Sequence, residues 1–277
     1  MADTLFAPGA FVGKSVFVAG GSSGINLAIG QRFAEMGARV ALISRSAEKV
    51  EAAAASIAAS GGTAIGMAAD VRDYDAVSAA LARAAEAHGA FDVVVSGAAG
   101  NFLAPVVGMS PNAFRTVVEI DLIGTFHVFR ACWDHLRRPG ASLISITAAQ
   151  GQRPMMFQAH ACAAKAGVNL LTQTLAMEWG PAGVRVNGIA PGPIAGTEGM
   201  DRLSPGDDAT AALKARIPLR DYGAKRDVAD LALFLASDAA RNITGAVIDC
   251  DGGSIHGDAS AEALRPLPRI PSGALLP

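Results

Sequence analysis

Ser15-Val-Phe-Val-Ala-Gly-Gly-Ser-Ser-Gly-Ile-Asn26 passes from one structural period to another within a single short stretch. Val16–Ala19 is a β-branched and aromatic apolar run, the pattern of a buried strand. Gly20, Gly21, Ser22, Ser23 and Gly24 break that pattern. From Ile25 the apolar positions Ile25, Ala28, Ile29 and Phe33 recur at helical spacing, and Gly37 marks a stop. Strand, glycine turn and helix together present free backbone N–H groups to a phosphate. The glycines permit close approach, and the helix N-terminus contributes about half a positive charge. The competing reading is an ordinary tight turn that binds nothing.

On the C-terminal side the same alternation continues. Strands are expected over Arg39–Ile43, Thr63–Ala68, Phe91–Val95, Ala141–Ile146, Val184–Ile189 and Ala246–Cys250. Helices are expected over Ala47–Ser60, Asp73–His88, Pro111–Leu136, Met155–Trp179 and Lys225–Ala236, with Asp73 as an N-cap. The fourth strand is apolar over Val93–Val95, which suits a central strand of a sheet covered on both faces. This predicts a single Rossmann-type doubly wound α/β domain over residues 1–257, with a seven-stranded parallel sheet and helices on both faces. Residues 258–277 read as a Pro-rich C-terminal tail. Ligands of such sheets bind beyond the carboxyl ends of the strands. The turns after residues 19, 43, 68, 95, 146 and 189 should therefore meet at one cleft.

Arg45 stands directly after the second strand, where no Asp or Glu is present. An acidic residue there would hold a ribose 2′-hydroxyl, whereas Arg favours a 2′-phosphate, so NADP(H) is expected over NAD(H). A solvated surface Arg is the plainer alternative.

Composition narrows the possibilities. The chain has 277 residues, is 51% hydrophobic and carries a net charge of −2, which argues against nucleic acid or an anionic membrane as its main partner. No apolar run reaches the roughly 18 residues needed to span a bilayer. The first residues lack a basic region followed by an apolar block, so no signal peptide is expected. Cys132, Cys162 and Cys250 read as reduced thiols in a cytoplasmic protein. His88, His127, His135 and His256 show no metal-ligand spacing, and no metal is expected. Abundant Ala and Gly, with Arg well above Lys, suggest a bacterial source.

Gly20-x-x-x-Gly24, Asp70, Ala98-Ala-Gly100, Lys165, Pro191-Gly192 and Asp251-Gly-Gly253 resemble the short-chain dehydrogenase/reductase family over about residues 10–255. Ala19 departs from the family's usual Thr, and Asn26 from its third Gly. The catalytic set departs further. The family typically uses Asn, Ser, Tyr and Lys. Lys165 is kept, but the Tyr position is Ala161, the Ser position is Ala148 and the Asn position is Asp121. Losing a general acid forfeits about 10²–10⁴-fold in rate, so ordinary ketone reduction is not expected.

One branch of the family carries the same departure. Ala98-Ala-Gly-Asn-Phe-Leu103, Ile120-Asp-Leu-Ile-Gly-Thr-Phe126, Ala163-Ala-Lys-Ala-Gly167, Glu178-Trp-Gly180 and Ala190–Gly199 resemble the 2,4-dienoyl-CoA reductases, the peroxisomal type in particular. The resemblance implies Asp121 and Lys165 as the catalytic pair. It implies cofactor contacts from Gly20, Ser22, Ser23, Gly24, Ile25, Asp70, Val71, Ala98, Lys165, Pro191, Gly192, Ile194 and Thr197. It places Arg72, Phe102, Ser110, Pro111, Asn112 and Arg202 on the side of an acyl-CoA substrate. Arg45 then has two candidate roles, the NADP 2′-phosphate or coenzyme A. The resemblance also implies a homo-oligomer, a dimer or tetramer, with a buried last strand. A peroxisomal address is not expected, because the sequence given ends Ala-Leu-Leu-Pro277.

The chemistry implied is hydride transfer to the δ carbon of a 2,4-dienoyl thioester, with charge flowing to the thioester oxygen. Protonation at Cα, through water held by Asp121 and Lys165, would give a 3-enoyl-CoA. Two other readings stand beside it: a reductase of another activated alkene or enoyl thioester, and a catalytically silent NADP(H)-binding sensor. His160 is either a proton donor or a packed histidine. Met155-Met156-Phe157 either lines an acyl channel or begins a helix against the core. Thr197–Ala212 is either a lid or a surface loop.

Overall fold

The structure, a computed structural model, describes residues 6–197, 200, 206–261 and 263. Arg202, most of the C-terminal tail and parts of the expected lid lie outside the described residues. Seven parallel strands form one sheet in the order β3-β2-β1-β4-β5-β6-β7. They are β1 Ser15–Ala19, β2 Arg39–Ser44, β3 Thr63–Ala68, β4 Val93–Ser96, β5 Ser142–Ile146, β6 Arg185–Pro191 and β7 Val247–Cys250. The helices are α1 Gly24–Glu35, α2 Ala47–Ala59, α3 Tyr74–His88, α4 Pro111–Val118, α5 Gly124–Cys132, α6 Ala159–Trp179, α7 Asp207–Arg216 and α8 Lys225–Ala236. Among the described residues no helix is long and apolar enough to cross a membrane.

The two faces of the sheet follow from strand periodicity. In β1, Val16 and Val18 point to one face and Phe17 and Ala19 to the other, and all four are fully buried. The first face packs on Ile29 and Phe33 of α1, Val50 and Ile57 of α2, and Val228 and Leu233 of α8. The second packs on Val77 and Leu81 of α3, Val128 and Phe129 of α5, and Leu175 of α6. This double cover explains why Val16–Ala19 has no polar face. Truncating a fully buried side chain such as Phe33 to Ala would cost about 3–5 kcal/mol.

Several expected elements differ. Phe91 precedes β4 and makes only an isolated bridge to Leu136. The helix expected over Pro111–Leu136 is divided: a π-turn at Glu119–Ile123 separates α4 from α5, and Trp133–His135 is a single 3₁₀ turn. The helix expected from Met155 begins at Ala159, because Phe157 adopts φ +63°, a left-handed backbone that no helix continues through. The last strand, β7, is half-exposed at the sheet edge, not buried.

The strand order reverses between β1 and β4, and both strands pair with matched register from Val16 opposite Val93 to Ala19 opposite Ser96. At such a reversal the connections run to opposite faces and leave a crevice at the carboxyl ends.

Candidate active site

The turns after β1, β2, β3, β4, β5 and β6 do meet in one cleft of about 1080 Å³. The β1 turn supplies Gly20 and Ser22–Asn26. Gly20 has φ +78°, and a Cβ there would come within 2.8 Å of the Ala98 backbone. Gly24 has φ +61° with open space around it, so backbone conformation alone selects glycine there. Ser23 precedes α1 but its side chain does not cap it, which leaves first-turn N–H groups facing the cleft. Asn26 Nδ2 donates to the Gly97 carbonyl at 2.7 Å and ties the β1 turn to the β4 turn.

Beyond β2, Arg45 and Lys49 line the same end of the cleft as Ser44 and Ser46. Lys49, one turn into α2, adds a second cation that the strand-end rule does not address. Asp70 after β3 lines the cleft and is gripped by Arg72, with Nε at 3.1 Å from both carboxylate oxygens and Nη2 at 2.6 Å from Oδ2. The Arg72 hydrogen bond lowers the Asp70 pKa below its ordinary value, opposed by burial and aided by Arg45. Arg72 itself does not line the cleft. Its Nε and Nη2 are engaged with Asp70.

At the floor, Asp121 sits in the π-turn and is 1% exposed. Its Oδ1 accepts from the Gly100 N–H at 2.8 Å, and its Oδ2 pairs with Lys165 Nζ at 3.2 Å. Lys165, on α6 and 7% exposed, also donates to the Ile146 carbonyl at 3.0 Å. Lys165 thus combines one hydrogen bond, to Ile146, with an ion pair to Asp121. Ala148 and Ala161 line the cleft near this pair, and among the described lining residues there is no phenol. Pro191, Gly192, Ile194 and Thr197 close the β6 side, with Val71 and Ala98 opposite. All the expected cofactor and catalytic positions are therefore brought to one cleft.

The cleft suits a nicotinamide dinucleotide: a glycine turn on a helix N-terminus, cations at the β2 end, and a buried Lys–Asp pair at the floor. A sequence model described as enoyl-(acyl carrier protein) reductase matches residues 19–254. The chain belongs to the short-chain dehydrogenase/reductase family. This short-chain dehydrogenase/reductase is similar to the peroxisomal 2,4-dienoyl-CoA reductase, (3E)-enoyl-CoA-producing, of Pongo abelii. The two are 42% identical over 253 residues, 90% of this chain and 86% of the relative. It is 38% identical over 245 residues to the probable 2,4-dienoyl-CoA reductase, (2E)-enoyl-CoA-producing, of Bacillus subtilis, covering 87% of this chain and 96% of that one. A crystal structure of a dehydrogenase/reductase from Sinorhizobium meliloti shares its fold with a TM-score of 0.82 at 34% identity, over 88% of this chain and 95% of that chain.

Other expected positions of this short-chain dehydrogenase/reductase lie off the cleft lining. Phe102 packs its ring 4.2 Å from that of His160. Ser110 caps α4 by accepting from the Ala113 N–H, with Pro111 and Asn112 in the first turn. His160 is fully buried, and neither ring nitrogen has a hydrogen-bond partner. Burial pulls its pKa below the ordinary histidine value, opposed by Asp121 and the Phe102 backbone. Met155 lines the cleft, whereas Met156 and Phe157 are exposed. Met200, Leu213 and Arg216, in and after the expected lid, also line it. So do three carboxamides, Asn101, Gln150 and Gln158, which no spacing in the sequence singles out.

Proposed function

We propose that this oxidoreductase is an NADPH-dependent reductase of 2,4-dienoyl-CoA thioesters, yielding a 3-enoyl-CoA as part of unsaturated fatty acid breakdown. The observation that carries this reading is the buried Asp121–Lys165 pair beside Ala148 and Ala161, a floor that can hold a proton but presents methyl groups at the two positions where the family places its hydroxyls. When bound, NADPH supplies hydride to the δ carbon. The chain supplies everything else. Gly20, Ser22–Ile25, Val71, Ala98, Pro191, Gly192, Ile194 and Thr197 cradle the dinucleotide, with Asp70 at the adenine side. Arg45, with Lys49 beside it, neutralises the 2′-phosphate. Lys165 steadies the nicotinamide ribose with an ammonium N–H that Ile146 does not take. Asp121 and Lys165 together position a water that delivers a proton to Cα. Because that proton goes to carbon, a phenol at position 161 is dispensable.

Phe102 and Ser110–Asn112 follow Asn101 on the segment leaving the cleft, where the coenzyme A arm would exit. The same reading supports a homo-oligomer acting in the bacterial cytoplasm.

A second product is favoured by one observation. The Bacillus relative is named for a (2E)-enoyl product, which the same dienolate gives when protonated at Cγ. The test is NADPH oxidation at 340 nm with 2,4-hexadienoyl-CoA, beside crotonyl-CoA and a simple ketone, followed by product analysis. Turnover on the dienoyl thioester with a 3-enoyl product is expected. A 2-enoyl product moves the proton to Cγ. Turnover only on crotonyl-CoA makes the protein an enoyl thioester reductase, and NADPH binding with no turnover makes it a sensor.

A further inference from the structure

Hydride addition to a conjugated thioester builds negative charge on the thioester oxygen, and the largest single contribution an active site can make is a preorganised donor aimed at it. The residues at the family's hydroxyl positions cannot serve, because Ala148 and Ala161 present only methyl groups. Lys165 donates to the Ile146 carbonyl, and its charge is paired with Asp121.

Gln158, the residue before α6, lies in the cleft one helical turn from Ala161 and is 7% exposed. Its Oε1 accepts two hydrogen bonds, from Asn101 Nδ2 at 2.7 Å and Gln150 Nε2 at 2.9 Å. Two donors on one oxygen fix the direction of the amide. The Nε2 end is left with only Met155 Sδ at 3.8 Å, a weak acceptor. A nine-tenths buried amide nitrogen on a thioether contact is an under-used donor in a cavity. The clamp is tied to the catalytic floor: Asp121 Oδ1 holds the Gly100 N–H, and Asn101 is the next residue. The side chain of Gln158 does not cap α6, so the positive end of a 21-residue helix lies beside the same amide.

We infer that the Gln158 carboxamide is the hydrogen-bond donor to the thioester oxygen, with Asn101 and Gln150 as positioning residues that hold its N–H₂ group toward the ligand. This rests on the reading of the cleft as a thioester reductase site. It assigns to a carboxamide the oxyanion role left open by Ala148 and Ala161.

Gln158→Glu is the sharpest test. A carboxylate oxygen still accepts from Asn101 and Gln150, so the clamp survives, but an acceptor now stands where the donor was. Gln158→Met removes both functions at similar volume and guards against a charge effect. Both variants should lose about 10²–10³-fold in kcat with 2,4-hexadienoyl-CoA, the size of a lost oxyanion donor. KM should move little, NADPH affinity by fluorescence should hold, and the primary isotope effect with deuterated NADPH should rise as hydride transfer becomes limiting. Asn101→Ala should lower kcat by a smaller factor at unchanged KM and unchanged NADPH affinity. If either folded Gln158 variant keeps kcat within about threefold of wild type, far short of the loss of one such donor, the assignment is overturned. Inactivity of the wild-type enzyme on every enoyl and dienoyl thioester would instead remove the reading beneath it.

Discussion

Asp121 and Lys165 are each other's reason for being buried. A carboxylate or an ammonium taken from water alone is expensive, and removing one partner of a buried pair costs about 3–5 kcal/mol. Asp121→Asn keeps an acceptor for Gly100 but strands Lys165, and Lys165→Met strands Asp121. Each single variant should lose about 10²-fold or more in turnover and melt at a lower temperature. The double variant should regain most of the melting temperature and none of the turnover. Turnover near wild type in either single variant would end the proposed role. Arg45 belongs to the same scale. Charge-assisted contacts contribute about 1.5–3 kcal/mol, so Arg45→Ala should raise the KM for NADPH by about tenfold or more and leave that for NADH nearly unchanged. Equal effects on both cofactors would move Arg45 to coenzyme A. Which residues could be read in advance follows from their surroundings. Lys165 sits among small apolar neighbours and Asp121 inside an apolar helix, so each stands out along the chain. Gln158 and Asn101 are 57 residues apart and ordinary in local context, and only the folded cleft makes them partners.

Among the elements, the strands were readable to within a residue or two; in β1 this is because a doubly covered strand has no polar face to obscure it, as in Val16–Ala19. The π-turn at Glu119–Ile123 was not readable: apolar residues continue through it at helical spacing, and a one-residue widening has no composition of its own. The start of α6 was misplaced because Met155-Met-Phe157 imitates a helix face, whereas the left-handed Phe157 breaks it. The π-turn brings Asp121 to the cleft floor, and Thr125 secures it. The Thr125 hydroxyl donates to the Asp121 carbonyl at 2.7 Å and accepts from Ser96 Oγ at 3.1 Å, joining the turn to β4. Thr125→Val preserves shape and leaves the buried Ser96 hydroxyl without that acceptor, a cost of about 1–3 kcal/mol. Denaturant unfolding should show that loss, with kcat reduced as Asp121 shifts, while Thr125→Ser should retain both. Unchanged stability and turnover in Thr125→Val would show that the turn holds Asp121 without this hydroxyl.

At the scale of the whole molecule, one sheet order explains the site: connections on either side of the β1/β4 reversal run to opposite faces, and six strand-end turns meet at the crevice left between them. The same burial that builds this frame sets its response to acid. His88, the last residue of α3, and His160, under Phe102, are both buried, with Nδ1 of His88 and both ring nitrogens of His160 unpartnered, and desolvation lowers both pKa values below 6.5. Arg39 adds to the shift at His88, whereas Asp121 opposes it at His160. In the unfolded chain each titrates near 6.5. Below that pH the unfolded state binds more protons than the folded one, so stability falls as pH drops, by up to about 1.4 kcal/mol for each unit of pKa difference. Asp70 acts lower down. Its pKa is depressed by Arg72, so the stability it contributes is present above the ordinary carboxylate value and is lost as pH falls through the depressed one. The melting temperature should therefore be level near neutral pH, decline in a first step below about 6.5, and decline again below about 4. Replacing both histidines, as His88→Leu with His160→Leu, should flatten the first step and leave the second. Persistence of the first step in that double variant would assign acid sensitivity to groups other than these histidines.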